Sequence, residues 1–344
     1  MTSTESGAEV RAKAQSSRGL SREAWTYAAR RTWHGFVRHR GLDSAAALTF
    51  FSALAIFPAA LTVVSVFALA TGKRDAATII LGIIDGAAQD STVDTLREPI
   101  TQLFTIANPG LALTVGLVLS LWSLSSFSTA FGRAVNSVYE VQEGRQIWKF
   151  RGLMMVLASF LLVVFAAIIA LLVTTPSVAS AIGEAVGVGE PWLTVWSIVR
   201  WPGLLILVAL LMAVLYYFTP NVRHQRMRWV SFGALFAIVA WSLATAVFAL
   251  YVTNVGTYDR IYGWLGGGLA VLVWLYITNF VLVVGAEVDA EVMRLRQLSA
   301  GIAAEEIVQL PMRDTSRNLM LARQRAQDIA DGRMIRERAD RTDR

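Results

Sequence analysis

A phosphate-binding loop is the first chemistry that the sequence suggests, because four glycines lie within six positions in its last third. They are Gly263, Gly266, Gly267 and Gly268. A loop of that kind follows a strand, precedes a helix and exposes its amides to water. These glycines instead lead directly into an apolar run. They are therefore predicted to let a neighbouring helix approach closely at the start of a membrane span.

Three carboxylates follow the same apolar run and could transfer protons or bind a cation. They are Glu287, Asp289 and Glu291. Glu287 and Glu291 are four residues apart and share one face of a helix, whereas Asp289 points roughly opposite. The spacing therefore predicts no compact three-carboxylate site. Two interpretations remain open, namely pairing with arginines of the neighbouring loops, and a proton or cation site.

Composition places these residues in a membrane protein. The chain has 344 residues, of which 55% are hydrophobic and 16% charged, which is more apolar than a soluble domain of this size. The absence of cysteine excludes disulfides, thiolate metal sites and cysteine nucleophiles. The three histidines, His34, His39 and His224, share no ligand spacing with carboxylates. The sequence therefore predicts no cofactor, no metal site and no enzymatic activity.

Six apolar runs have the length of about 20 residues that crosses a hydrocarbon core of about 30 Å. They lie at 44–71, 111–131, 153–174, 195–218, 229–252 and 265–285. The predicted fold is all-α, a polytopic bundle of six transmembrane helices with amphipathic helices at both membrane faces. We expect a cytoplasmic basic tail with an interfacial helix at 1–43, the membrane domain at 44–291, and a charged, partly disordered cytoplasmic tail at 292–344.

Amphipathic repeats occur on both sides of the predicted membrane. Trp25 to Val37 combine apolar residues at helical spacing with arginines, which predicts a helix against anionic lipid headgroups at the cytoplasmic face. A nucleic-acid interface is the alternative, but the position directly before the first span favours lipid. The outer segment at about 72–110 contains two further repeats, which are predicted to pack over the outer ends of the spans.

Polar residues within the spans form a candidate path through the bundle. Asn279 lies in the sixth run and is costly toward lipid, so it is expected to face the protein interior. The second run is rich in small hydroxyls, and the candidate path consists of Asn279, Ser123, Ser126 and Thr129. Tight helix packing remains the alternative for these residues. Pro58 is expected to kink the first span at or just before Phe57.

Basic side chains surround the inner end of the second span. Arg133 and Arg145 belong, with the three carboxylates after the sixth span, to a set of candidate charges at the inner membrane boundary. Basic residues in this position attract anionic headgroups of the cytoplasmic leaflet. Lipid is therefore an expected partner, and protein partners or an oligomer remain possible.

Several separated motifs resemble those of the YihY/BrkB family of bacterial inner-membrane proteins, over about residues 44–291. They are SAAALTFFSALAIFPAAL, FGRAVNSVYEVQEGRQIWKFR, YYFTPNVRHQRMRWVSFGALFAIVAW and YGWLGGGLAVLVWLYITNFVLVVGAEVDAE. The sequence departs from the family pattern at Phe50 and Phe51, where tyrosines are usual, and at Asp289, where asparagine is common.

The resemblance implies an envelope protein of the inner membrane, and some members of the family are associated with lipid or lipopolysaccharide export. A translocator of an amphipathic envelope molecule and a structural protein that acts through partners are both compatible with it. The family was once labelled a tRNA-processing ribonuclease. Such an enzyme needs a general acid and base, or a metal pair, held in water. The sequence offers neither, so no nucleic-acid partner is expected.

The distribution of basic residues predicts that both chain ends lie in the cytoplasm. With the amino terminus inside, the inside segments hold 26 of the 31 Lys and Arg residues, and such an excess marks the cytoplasmic side. Single cysteines in this cysteine-free chain test the topology. A thiol at Gln89 should react with an impermeant maleimide in intact cells, and one at Ser316 only after permeabilisation. The reverse pattern would contradict the topology.

Overall fold

A computed structural model describes residues 21–71, 108–173, 191–223, 231–254 and 264–342. Eight α-helices lie in this part of the chain. They are α1 (Arg22–Arg38), α2 (Gly41–Thr71), α3 (Pro109–Val138), α4 (Ile147–Val173), α5 (Pro191–Phe218), α6 (Phe232–Asn254), α7 (Trp264–Ser299) and α8 (Ser316–Thr342). Helices α2 to α7 are long and apolar enough to cross a membrane. The predicted all-α bundle of six spans is confirmed.

The six spans form a ring in chain order. Each of α2 to α6 contacts the next helix, and α7 returns to α2. The most extensive contact joins α2 to α3, and α3 also reaches across the ring to α5 and α7. Helix α3 therefore contacts α5 and α7 in addition to its sequence neighbours, α2 and α4.

Small side chains allow α2 and α3 to approach closely. A Cβ atom at Gly116 would lie 2.8 Å from Thr62 Oγ1 and 3.2 Å from the carbonyl oxygen of Pro58. The Thr62 hydroxyl donates to that carbonyl over 2.8 Å and lies 3.3 Å from the Ser120 hydroxyl. Helix α2 continues through Pro58 as one element.

The two ends of the bundle are packed differently. At one end, which we call the charged end, α1 contacts the loop at 139–146 and the residues at 287–305. The loop at 219–223 contacts the loop at 139–146 and the residues up to 316 at the same end. The buried side chains of α5 and α6 lie near this end, and they are Met212, Leu215, Tyr216, Ala234 and Ala237. Within 195–211 and 238–252 none of the described residues is buried. The buried core therefore lies at the charged end. Toward the opposite end, the described residues of α5 and α6 are exposed or half-buried, and we call these helices loosely covered there.

Helix α7 is longer than the span that hydropathy predicts. It has 36 residues, about 54 Å at 1.5 Å per residue, and continues past both the predicted end of the span at 285 and the predicted start of the tail at 292. Its continuation stays buried at Ala286, Ala290, Val292 and Leu295. These apolar positions hold the helix against the bundle after its carboxylates begin.

Helix α1 covers the amphipathic stretch that the sequence predicts as helical. The Ser21 hydroxyl caps its first turn by accepting a hydrogen bond from the Ala24 amide. Ala28, Gly35 and Phe36 are buried on a helix that packs against α7. The amphipathic segment predicted at about 72–110 lies outside the described residues, apart from the start of α3.

Close approach between helices occurs at a different pair of glycines from those that the sequence singled out. A Cβ atom at Gly233 would overlap the carbonyl oxygen of Gly285, so α6 and α7 touch backbone to backbone. At Gly267 the same test finds open space within this chain. Gly266 is buried, and Gly263 lies outside the described residues. The predicted close contact is therefore not found at Gly267 among the described residues, since none of their atoms lies within 4 Å of a Cβ atom placed there.

Replacing Gly233 by alanine should destabilise the bundle, because the added methyl group would overlap the Gly285 carbonyl and the Asp289 side chain. Overpacking of this kind costs about 1–3 kcal/mol. We expect purified Gly233→Ala to lose its monodisperse size-exclusion peak at a lower temperature than the parent. Gly267→Ala is the matched control and should behave like the parent. Equal loss in both variants would contradict the assignment of the close contact.

Candidate functional site

The carboxylates on one face of α7 pair with basic groups at the charged end. Glu287 Oε1 lies 2.8 Å from His39 Nδ1. Glu291 Oε2 lies 3.4 Å from Arg31 Nε and 3.2 Å from Arg294 Nε. The Glu287 side chain is only 1% exposed. Because both carboxylates turn toward α1, they lie on the shared face that their spacing predicts.

Asp289 turns toward α6 and the end of α3. The Tyr139 hydroxyl donates to Asp289 Oδ2 over 3.0 Å, and the Gly233 amide donates to Oδ1 over 3.1 Å. Gly233 lies in the first turn of α6, where the helix dipole favours a negative charge. Asp289 therefore fixes the amino-terminal end of α6 against α7 and does not join the other two carboxylates.

A pocket of about 450 Å³ opens beside His39. Its lining residues are Arg38, His39, Asn136, Ser137, Glu140, Val141 and Gln142. His39 Nε2 lies 3.6 Å from Glu140 Oε1, and Arg38 donates to the same oxygen over 3.0 Å. His39 thus lies between a buried carboxylate of α7 and a partly exposed one at the pocket.

Two residues beside the pocket have a backbone conformation that non-glycine residues rarely adopt. Arg40 has φ 54° and Glu140 has φ 55°, and each follows the end of a helix, where glycine is usual. Just after the end of α3, the Val141 amide donates to the Asn136 carbonyl of the last helical turn over 2.9 Å. A side chain in this conformation costs about 1–2 kcal/mol. Strain of this kind is concentrated at functional sites, so the pocket is the candidate functional site.

Arg145 is buried in a network of its own. Its Nε and Nη2 donate to the two carboxylate oxygens of Glu143 over 2.7 and 2.6 Å, and Nη2 also donates to the Thr219 carbonyl over 2.6 Å. The guanidinium therefore joins the loop after α3 to the end of α5. Arg133, the other predicted basic residue, is exposed on α3. Of the two, Arg133 is the one accessible to a headgroup.

Asn221 connects three segments that are distant in sequence. Its amide nitrogen Nδ2 donates to the carbonyls of Gln142 and Asp314 over 3.1 and 2.8 Å. Its backbone amide donates to Asn136 Oδ1 over 2.8 Å. The loop after α3, the end of α5 and the segment after α7 are therefore held together by one side chain.

The segment at 302–316, which we call the strap, crosses the charged end after α7. Arg294 is 1% exposed and donates to the carbonyls of Ala304 and Glu306 over 2.6 and 3.1 Å. Arg313 donates to the carbonyls of Tyr217 and Val222. Two basic side chains thus anchor the strap to α7 and to the end of α5.

The ionisable groups of the strap respond to their surroundings. Burial lowers the pKa of the Arg313 guanidinium. Hydrogen bonds from the Ser316 hydroxyl and amide, and the nearby Lys149, hold the pKa of Asp314 below its ordinary value. Asp314 therefore stays ionised at neutral pH and caps the start of α8.

Two residues of the predicted path lie against α2. Asn279 is buried, and its Nδ2 donates to Ser52 Oγ over 3.2 Å and to Thr49 Oγ1 over 3.4 Å. Ser123 is buried on the face of α3 that also carries Ser120, which contacts Thr62 of α2. Asn279 and Ser123 are thus placed at helix contacts with α2.

The other residues of the predicted path lie on different faces of α3. The Ser126 hydroxyl donates to the Trp122 carbonyl over 2.9 Å. Thr129 shares the face of Gly132, where a Cβ atom would lie 3.1 Å from the Thr219 carbonyl oxygen of the α5 end. The four predicted path residues are therefore not brought together.

Ser125 and Ser128 accompany Thr129 on the face of α3 turned toward α5. They precede Gly132 by seven and four residues, and this spacing is the signal that could have identified them. The hydroxyls of Ser128 and Thr129 are buried and have no hydrogen-bond partner among the residues that the structure describes. A buried polar atom without a partner is rare in proteins and needs an explanation.

The part of the chain that matches a known protein family includes all six spans. The family described as virulence factor BrkB matches the chain over residues 32–306. The chain belongs to this family. The match includes α2 to α7, the last seven residues of α1 and part of the charged end, and it confirms the resemblance seen in the sequence. Helix α8 lies beyond it.

Three relatives of the chain are named as membrane proteins or as a ribonuclease-like protein. The ribonuclease-like protein YfkH of Bacillus subtilis is 28% identical over 269 residues, 76% of this chain and 94% of that protein. A UPF0761 membrane protein of Xanthomonas oryzae is 26% identical over 271 residues, 77% and 60% of the two chains. One of Idiomarina loihiensis is 34% identical over 86 residues, 24% and 30%. The chain thus spans less than two thirds of these UPF0761 proteins. No solved structure matches it.

Replacing Arg294 by methionine should detach the strap from α7, because the guanidinium holds both Glu291 and the strap carbonyls. Removing one partner of a buried ion pair costs about 3–5 kcal/mol. We expect faster amide hydrogen exchange in peptides covering 302–310. Arg333→Met, which removes an exposed arginine of α8, is the control. Exchange that matches the parent in both variants would refute the anchoring role.

Proposed function

We propose that this BrkB-family membrane protein translocates a lipid or another amphipathic envelope molecule across the inner membrane, with both termini in the cytoplasm. Six membrane-crossing helices and the family match support a multi-pass membrane protein. The excess of basic residues on one side supports the orientation. In this orientation the charged end faces the cytoplasm.

The unpaired hydroxyls of α3 are the observation that carries the proposal. Ser128 and Thr129 bury polar oxygens in a membrane-crossing helix, without a hydrogen-bond partner in the described part of the chain. In lipid such a group is costly, so its retention is explained if a polar ligand or water bonds to it. Both hydroxyls lie about one turn from Gly132, next to the closed charged end, and are oriented toward α5.

The loose covering of α5 and α6 supports a route that opens to lipid. Away from the charged end, the described parts of these helices bury no residue in the protein. An amphipathic molecule could keep its acyl chains in the bilayer there while its headgroup contacts α3. The part of the predicted path that this proposal retains is Thr129, joined by Ser125 and Ser128.

A structural envelope protein that acts through partners is the second candidate. Helix α8 has 27 residues, is exposed along most of its length, and leaves Leu319 and Ile335 about 70% exposed. A long exposed helix of this kind fits a protein contact. We assign no enzymatic reaction, no cofactor and no nucleic-acid partner in either case, although one relative is named ribonuclease-like.

Reconstitution into liposomes with labelled anionic lipid tests the translocation proposal. The double variant Ser128→Ala/Thr129→Val removes the two unpaired hydroxyls and should slow translocation roughly tenfold, since two hydrogen bonds contribute about 0.5–1.5 kcal/mol each. The matched control Thr114→Val/Ser123→Ala changes the same residue types elsewhere on α3, at an exposed position near its start and at the face toward α2, and should stay within about twofold of the parent.

Two outcomes would reject the path. A parent protein that moves lipid no faster than protein-free liposomes would leave the structural role as the explanation. A control variant that slows transport as much as the double variant, with both eluting as the parent does in size exclusion, would remove the role of the two hydroxyls.

A further inference from the structure

His39 is held between two carboxylates that come from different parts of the chain. Its Nδ1 lies 2.8 Å from Glu287 of α7, and its Nε2 lies 3.6 Å from Glu140 after α3. Side-chain exposure rises from 1% at Glu287 to 11% at His39 and 24% at Glu140. The three groups thus form a graded series from the protein interior to the pocket, through which protons can reach Glu287 from water.

The other basic groups near this series pair with other carboxylates, so His39 is the basic partner of Glu287. Arg38 pairs with Glu140. Glu291, one turn beyond Glu287, is paired with Arg31 and Arg294. Among the described residues, the basic group within 4 Å of Glu287 is the His39 ring. A buried carboxylate needs a cation or a proton of its own, so His39 and Glu287 together hold one proton as a coupled pair.

The same contact positions the end of α1. Gly35 brings α1 so close to α7 that a Cβ atom there would lie 2.8 Å from Glu287 Oε2. Directly after His39, Arg40 has the left-handed φ of 54°. A conformation of this kind persists when surrounding contacts hold it. The pairs that His39 and Arg38 make with Glu287 and Glu140 are such contacts, and they join the carboxyl-terminal end of α1 to the bundle.

We propose that His39 and Glu287 form a proton-binding site, reached from the pocket past Glu140, whose occupancy controls the docking of α1 on α7. With the proton bound, the imidazolium donates to Glu287 over 2.8 Å and forms an ion pair with Glu140 over 3.6 Å. Without it, a neutral ring has one donor for two carboxylates, and buried Glu287 loses its cation. The carboxyl-terminal end of α1 then separates from α7. Docking is therefore retained while the site holds its proton and lost when a rise in pH removes that proton.

Pulsed electron paramagnetic resonance on the full chain tests this site independently of transport. Nitroxides at Val37→Cys and Gln146→Cys lie on exposed positions of α1 and of the loop before α4. We expect one narrow distance distribution at pH 6 and a longer population that grows toward pH 9.

Three further substitutions assign the response to the pair. Glu287→Gln removes the buried charge but keeps an acceptor for neutral His39, so α1 should stay docked from pH 6 to pH 9. His39→Gln removes the titrating ring and should abolish the shift with pH. His34→Gln is the matched control, because His34 is exposed on the same helix, and it should keep the parent response.

The proposal is overturned if the parent distances are the same from pH 6 to pH 9. It is also overturned if Glu287→Gln or His39→Gln keeps the parent shift, or if His34→Gln abolishes it. Because Glu287→Gln and His39→Gln remove opposite members of the pair, either variant that elutes as the parent does is sufficient for the decision.

Discussion

The charged end is organised by the need to neutralise carboxylates that α7 withdraws from water at the membrane boundary. An unpaired buried charge costs several kcal/mol, and a helix end in lipid offers no water to offset it. Glu287 is met by His39, Asp289 by Tyr139 and the start of α6, and Glu291 by two arginines. Because these partners belong to separate elements, pairing the carboxylates of α7 also positions α1, α3, α6 and the strap.

The remainder of the bundle follows a different rule. Lipid chains solvate apolar side chains as well as protein does, so a spanning helix gains little from hydrophobic burial. Close contacts then depend on small residues and hydroxyls, as at Gly116 with Thr62 and at Gly233 with Gly285. The described buried side chains of α5 and α6 lie near the charged end. Farther along, α6 bonds to α7 through the Trp241–Thr278 and Trp274–Thr245 pairs, and α5 is the less constrained of the two helices there.

Hydropathy and helical periodicity were sufficient to predict the number of spans, the helix α1 and the division of the α7 carboxylates between two faces, because each depends on residues near one another in sequence. The partners were not predictable. His39 and Glu287 are 248 residues apart, and no local pattern encodes such a pairing. Glycine content likewise shows where bulk is missing but not which helix approaches, which is why Gly267 was favoured over Gly233. The buried continuation of α7 beyond the predicted span was not foreseen, because buried charges resemble exposed ones in a sequence.

The strap has a consequence for the order in which the protein is made. Arg31 donates to the carbonyl of Glu305, 274 residues later, and Asn221 bonds to the carbonyl of Asp314. All six spans precede these acceptors in the chain and are synthesised before them. The charged end therefore closes only near the end of synthesis, and a chain terminated after α7 would display incompletely paired arginine and asparagine side chains on the membrane surface. A truncated chain would therefore expose polar side chains to cellular proteases that the complete chain keeps paired.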